Sequence, residues 1–89
     1  MVTHYLACDF GADSGRVMLG ALADGKISIE ELHRFPNGPV KISGALHWNL
    51  DALLGELKTG LKKAAARKLP IAGISSDTWG VDYALLDER

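Results

Sequence analysis

The sequence predicts a mixed α/β chain in the order β-β-β-α-β-β, and three observations carry that expectation. Two short apolar runs flank a glycine-containing turn between Phe10 and Arg16. An Asp24-Gly25 pair then separates the second run from a third, and a leucine stripe at helical spacing leads at once into another short apolar run. Tight antiparallel hairpins account for the first two patterns. A strand that follows a helix into the same sheet accounts for the third, because parallel strands need a long crossover.

The first run, His4 to Cys8, is nearly continuous in apolar residues, as in a strand that is central in its sheet and covered on both faces. Val17 to Leu22 returns antiparallel to it. Ala23-Asp24-Gly25-Lys26 carries the dipeptide of a type I′ turn, and Ile27 to Leu32 makes a third strand whose alternation weakens at its end. From His33 to Trp48 an irregular stretch is predicted, broken by Pro36-Asn37-Gly38-Pro39 and turned again at Ser43-Gly44.

Asn49 is the N-cap of a helix in which Leu50, Leu53, Leu54, Leu57, Leu61, Ala64 and Ala65 form the core face, and Pro70 ends it. Gly55 and Gly60 each weaken that helix by about 1 kcal/mol relative to alanine, which points to a close helix-to-sheet contact. Lys58, Lys62, Lys63, Arg67 and Lys68 read as a solvated face suited to the helix dipole. Ile71 to Ser75 is a strand paired parallel. Ser76-Asp77-Thr78-Trp79-Gly80 follows at its C-terminal end, the edge where open α/β sheets hold ligands. Val81 to Leu86 alternates as one more strand, and Asp87-Glu88-Arg89 stands where a hairpin turn is due, so the chain reads as the opening of something longer.

With 10 basic and 11 acidic residues among 89, the net charge of −1 provides no field to draw in nucleic acid or a membrane surface. Cys8 is the only cysteine and lies in an apolar strand, which excludes an internal disulfide and predicts a buried, inert thiol. No basic leader or run of spanning length is present, and the cytoplasm is the expected compartment.

The turn after the first strand has chemistry of its own. Gly11 and Gly15 are able to adopt positive φ and leave room, so that consecutive N–H groups point at one oxyanion. Ser14 adds a hydroxyl and Arg16 a charge. A carboxylate as close as Asp9 suits a divalent cation placed between it and a phosphate. The same residues are also ordinary turn formers, and local pattern leaves both readings open. His33 and His47 lack metal-ligand spacing and read as solvated or locally bonded.

This order of elements, with its glycine-containing first hairpin, resembles the opening of the ribonuclease H-like fold shared by actin, heat-shock chaperones and sugar kinases. Four strings narrow the resemblance: Asp9-Phe10-Gly11-Ala12-Asp13-Ser14-Gly15-Arg16-Val17-Met18-Leu19, His33-Arg34-Phe35 with Asn37, Leu46-His47-Trp48, and Asp77-Thr78-Trp79-Gly80-Val81-Asp82. Together they resemble the carbohydrate kinase family named for its FGGY signature, and within it the kinases that act on L-rhamnulose. The likeness runs over essentially all 89 residues, and the last string is its most specific part.

The resemblance implies Mg²⁺- and ATP-dependent phosphorylation of the 1-hydroxyl of L-rhamnulose, in L-rhamnose breakdown. It implies that residues 1–89 are the N-terminal part of the first kinase domain, with the catalytic base and the adenosine site in later stretches. The 89 residues alone are then expected to be inactive, and no residue among them is assigned as catalytic. The family's phosphate-holding hairpin falls on Ala12, Asp13, Ser14, Gly15 and Arg16, and its metal-side carboxylate on Asp9. Its sugar contact falls on Gly80, with Trp79 beside it as a packing face for sugar C–H groups or as core filler. Asp77 and Asp82 either bond sugar hydroxyls or fix the turn.

Asp13 departs from the family pattern, where a small hydroxyl residue is usual, and disfavours phosphate unless it faces metal or solvent. Three other readings compete: a non-catalytic nucleotide- or sugar-binding module, a kinase of the same family for another sugar, and an actin-like assembly protein. The Asp77 to Asp82 string speaks against the last.

Overall fold

The computed structural model describes residues 1–87. Among the described residues six strands and one helix follow in the order β1 (Thr3–Phe10), β2 (Ser14–Ala23), β3 (Lys26–Pro36), β4 (Pro39–Ile42), β5 (Ala45–Trp48), α1 (Leu50–Ala66) and β6 (Ile71–Thr78). The main sheet is ordered β3-β2-β1-β6, and β4 and β5 form a separate two-stranded sheet. β1 therefore lies inside its sheet, antiparallel to β2 and parallel to β6, as the order of apolar runs predicts.

Two turns set the hairpins. Asp24 and Gly25 both take positive φ (53° and 75°) between the paired residues Ala23 and Lys26, as a type I′ turn requires. Ser43 and Gly44 do the same (51° and 81°) between Ile42 and Ala45. The stretch from His33 to Trp48 is thus not irregular. β3 runs on through Pro36, where a strand end on the sheet's edge tolerates proline, and the remainder folds as the β4–β5 hairpin. The fading alternation near Leu32 has a local cause: Met18 faces Glu31 and Val17 faces His33, so Leu32 is the extra residue of a bulge that resets which side chains face the core.

Asn49 caps α1, its side-chain oxygen accepting from Ala52 N–H at 3.1 Å. At the other end Lys68, with φ of 54°, closes the last turn before Pro70 is reached. The helix seats on β2 and β3 through a narrower stripe than the leucine spacing predicts. Gly60 and Ala64 are buried and Leu53, Leu57 and Leu61 are partly covered, whereas Leu50, Leu54 and Ala65 are exposed. Ala64 packs with Leu6 and Leu19, and Leu32, Leu61, Leu69 and Ile71 surround them. Gly60 is where helix and sheet come closest, since a Cβ there would lie 2.7 Å from Val17 Cβ. Gly55 has open space instead, so close contact explains only one of the two glycines.

The sheet is covered on one face only. Leu6 and Cys8 are buried while Tyr5 and Ala7 between them are exposed, which corrects the expectation of a strand covered on both sides. The register sets Asp9, Arg16 and Arg34 on the uncovered face at one end of the sheet, while Tyr5, Ile27 and Ile29 occupy it further along.

His33 bridges sheet and helix. Lys63 Nζ donates to its Nδ1 at 2.9 Å, so its Nε2–H is the donor to Glu56 Oε2. With Arg67 paired to Glu30, two cations of the helix's basic half are engaged and not merely solvated. His47 is exposed on β5.

No strand forms over Val81 to Leu86. A turn from Trp79 to Asp82 diverts the chain, and Tyr83, Leu85 and Leu86 are exposed and outside any strand among the described residues. The hairpin turn expected at Asp87-Glu88-Arg89 falls, for Glu88 and Arg89, outside the described residues. No helix among the described residues is long and apolar enough to cross a membrane.

Gly60→Ala is expected to lower stability by about 1–3 kcal/mol through overpacking against Val17. Gly55→Ala is expected to raise it by up to about 1 kcal/mol through helix propensity alone. Urea unfolding of the two variants measures both. Burial pushes the Cys8 thiol up. The unfolded chain therefore loses this proton first, so stability is full below the thiol's ordinary range and declines as pH rises through it. Cys8→Ala is expected to flatten that alkaline limb in a series of unfolding curves.

Candidate functional site

The tip between β1 and β2 is a braced loop. Gly11 N–H donates to Ser14 O at 3.0 Å, and the β1–β2 ladder ends at Phe10 facing Gly15. Neither Gly11 nor Gly15 takes positive φ, contrary to the expectation. Both serve by leaving space: a Cβ on Gly11 would lie 2.7 Å from Ser14 O, and one on Gly15 would lie 2.5 Å from Phe35 Cε2. Gly15 lies inside β2, where an extended backbone suits any residue but the neighbouring Phe35 ring does not. Phe10 and His33 flank that ring at centroid distances of 6.3 and 5.8 Å.

Arg16 spends its guanidinium within the tip. Nη1 donates to Asp9 Oδ2, and Nη2 donates to Ser14 Oγ at 2.8 Å and Ser14 O at 3.3 Å, while Nε is buried without a partner. The register that places Asp9 opposite Arg16 also places it beside Asp77 on β6. A cation and two carboxylates thus lie abreast on three neighbouring strands, on the uncovered face. Arg34 stands on the far side of Arg16, bonded to Glu31 at 2.7 Å and reaching Ser14 Oγ at 3.4 Å. Asp13 is exposed, the placement that makes its carboxylate least harmful to a bound anion. The N–H groups of Ala12 and Asp13 meet no backbone acceptor among the described residues.

Asn37 is the residue that sequence reasoning quoted without giving it a role. Its Nδ2 donates to Gly11 O at 2.9 Å, its own N–H donates to Asp13 O at 2.9 Å, and its Oδ1 accepts from Gly38 N–H at 3.0 Å. The tip is thereby tied to the end of β3 from both sides of its loop. The signal lay in the Pro36-Asn37-Gly38-Pro39 cluster, which reads as a breaker and is in fact a brace.

The second predicted group stands at the same end of the sheet, because β1 and β6 run parallel. Trp79 is about half exposed (51%), and a Cβ on Gly80 would meet nothing within 4 Å. Asp77 Oδ1 accepts from Thr78 N–H at 3.0 Å. Asp82 fixes the turn with both of its oxygens, accepting from Trp48 Nε1 and from Trp79 N–H.

A cleft of about 240 Å³ is walled by Phe35, Asn37, Val40, Asn49, Leu53 and Glu56, none of them a predicted phosphate or sugar residue. Its polar side chains are already engaged with Gly11, Gly38, Ala52 and His33, which makes it part of the support for the tip. Among the described residues no group of three or more His, Cys, Asp or Glu could hold a metal ion. Hard carboxylate oxygens are nonetheless what Mg²⁺ selects, and it keeps several waters when bound by one or two carboxylates plus phosphates. Asp9, half exposed and beside Asp77, fits that role.

No family model matches the chain. It is 43% identical over 90 residues to the rhamnulokinase of Klebsiella pneumoniae (strain 342), a match that covers 99% of this chain and 18% of that protein. Against the rhamnulokinase of Bacillus subtilis (strain 168) the identity is 45% over 85 residues, covering 96% and 18%. Against that of Enterococcus faecalis (strain ATCC 700802 / V583) it is 48% over 85 residues, covering 94% and 17%. The chain spans less than a fifth of the length of these curated relatives, and it is an N-terminal segment of them that it matches.

Asn37→Ala removes two side-chain hydrogen bonds of the brace and leaves the backbone one. A loss of about 1–2 kcal/mol is expected, with amide hydrogen exchange at Gly11 to Asp13 faster than in the unaltered chain and exchange at Val17 to Ala21 of β2 unchanged, as read by mass spectrometry or NMR.

Proposed function

From a chain similar over nearly all its length to an N-terminal segment of rhamnulokinases, we propose that it is the opening of an ATP-dependent sugar kinase that phosphorylates L-rhamnulose at the 1-hydroxyl. In this reading residues 1–89 begin the first domain of an FGGY-type kinase with a ribonuclease H-like fold, working in the cytoplasm. The structural observation that carries it is the register that sets Asp9 between Arg16 and Asp77, at the end of the sheet shared by the hairpin tip and the Trp79–Asp82 turn.

Phosphoryl transfer needs the acceptor oxygen in line with the γ-phosphate, its charge stabilised, and a base for the hydroxyl proton. The tip supplies the phosphate end. The N–H groups of Ala12 and Asp13, the Ser14 hydroxyl and Arg16 bind phosphate oxygens, with Gly15 keeping the strand close enough for them to reach. Asp9, with Asp77 beside it, would hold Mg²⁺ through water, and the chemistry that ion would supply is positive charge between the Asp9 carboxylate and the nucleotide phosphates. The Asp9–Arg16 pair is then the resting arrangement. A bound phosphate would give the Arg16 guanidinium a second acceptor, and a bound cation would give the Asp9 carboxylate a second positive partner. Gly80 offers its backbone to the ketose, and Trp79 lays an indole face on the sugar's C–H side. The oxygen of the 1-hydroxyl attacks the γ-phosphorus, the bond to ADP breaks, and the proton passes to a base supplied beyond this stretch.

The test is coupled detection of ADP on the protein at the length its own cells make. L-rhamnulose-dependent ADP release is expected from it and not from residues 1–89 alone. Arg16→Ala is expected to raise the KM for ATP about tenfold, roughly 1.4 kcal/mol, and to leave the KM for L-rhamnulose unchanged. ATP binding with no sugar-dependent turnover would overturn the kinase reading in favour of a nucleotide-binding module.

A further inference from the structure

Both oxygens of Asp82 accept a hydrogen bond from within the chain. Oδ1 accepts from Trp48 Nε1 at 2.8 Å and Oδ2 accepts from Trp79 N–H at 3.1 Å. The Asp82 N–H donates to Trp79 O at 2.9 Å, so the four-residue turn is closed by backbone and side chain together. Trp48 ends β5, which belongs to the separate β4–β5 sheet and shares no ladder with β6. One carboxylate therefore ties the turn that follows β6 to an element the main sheet does not reach. Hydrogen bonds to an ionised oxygen are shorter and stronger than neutral ones, and Asp82 is only partly exposed. Gly80, between the two bonded residues, has nothing from the described chain packed against it, so its position is set by what holds the turn at each end.

We propose that Asp82 is a positioning residue of the sugar site, clamping the Trp79–Gly80 turn to β5 through the Trp48 indole N–H and so presenting the Gly80 backbone and the Trp79 ring to the ketose. The proposal rests on the reading of Gly80 and Trp79 as sugar contacts. It favours one of the two roles open to Asp82: with each oxygen already accepting one bond from the chain, the carboxylate acts on the sugar through Trp79 and Gly80. Trp48, which sequence reasoning quoted only as part of a string, becomes the other half of the clamp.

The experiment uses the protein at the length its own cells make, with Asp82→Ala, Trp48→Phe and the double variant. Trp48→Phe keeps a ring in place and removes only the donor. Both single variants are expected to raise the KM for L-rhamnulose, Asp82→Ala about tenfold, while the KM for ATP stays within about twofold and reports an intact hairpin tip. The double variant is expected to be no worse than Asp82→Ala, because one shared bond is lost in both.

A normal sugar KM in Trp48→Phe beside a raised one in Asp82→Ala would overturn the clamp in favour of direct sugar contact, as would additive effects. Unchanged sugar KM in both single variants would overturn the clamp and leave the sugar site standing. Failure of the unaltered protein to bind L-rhamnulose, read by calorimetry, would overturn the sugar-site reading and the clamp with it.

Discussion

Where α1 crosses β2, the helix adds no side chain of its own: Gly60 lies directly against the Val17 side chain. That close approach lets Ala64, one turn on, reach the Leu6–Leu19 cluster. It also brings Glu56 and Lys63 within bonding distance of His33. A larger residue at position 60 would lift the helix from the sheet and open the small core. The core has few buried residues to spare, so a single backbone-to-side-chain contact carries an unusual share of the architecture.

The same seating decides where charge is found. With the helix on one face, the other is left uncovered, apolar over most of its length and charged at one end. At the tip end of that face Asp9, Arg16, Arg34 and Asp77 come from four different strands. No local segment of sequence contains this set. It is a product of register, which aligns a carboxylate on β1 with a guanidinium on β2 and a second carboxylate on β6. A slip of one residue at any of the three pairings would send one member to the covered side.

Much of this was legible in the sequence, and the reasons are specific. Asp24-Gly25 announces its hairpin because only certain residues accept positive φ, and Asn49 announces its helix because its side chain competes for the first free N–H groups. The central place of β1 followed from its apolar run. What was hidden depended on long-range partners. Asn37 looks like a loop breaker until Gly11 and Asp13 are seen beside it. Gly15 looks like a turn residue until the Phe35 ring is seen in the space its side chain would fill. Val81 to Leu86 alternates like a strand, yet the Asp82 bonds turn the chain away first. The geometry adds what similarity to rhamnulokinases does not carry: which residues brace the hairpin tip and which stand on the uncovered face of the sheet.

The two outer edges of the main sheet are unequal. β3 is one edge and β6 the other, and each leaves a row of backbone donors and acceptors without a neighbouring strand in the four-stranded order. β3 carries Glu30, Glu31 and Arg34 along its length, charges of the kind that discourage a foreign strand from docking. From Ile71 to Ser76, β6 has no charged residue, and Ile74 is exposed. In a concentrated solution of this segment, self-association by strand addition would begin at β6, and a lysine placed there on the outer edge would act as the gatekeeper that β3 already possesses.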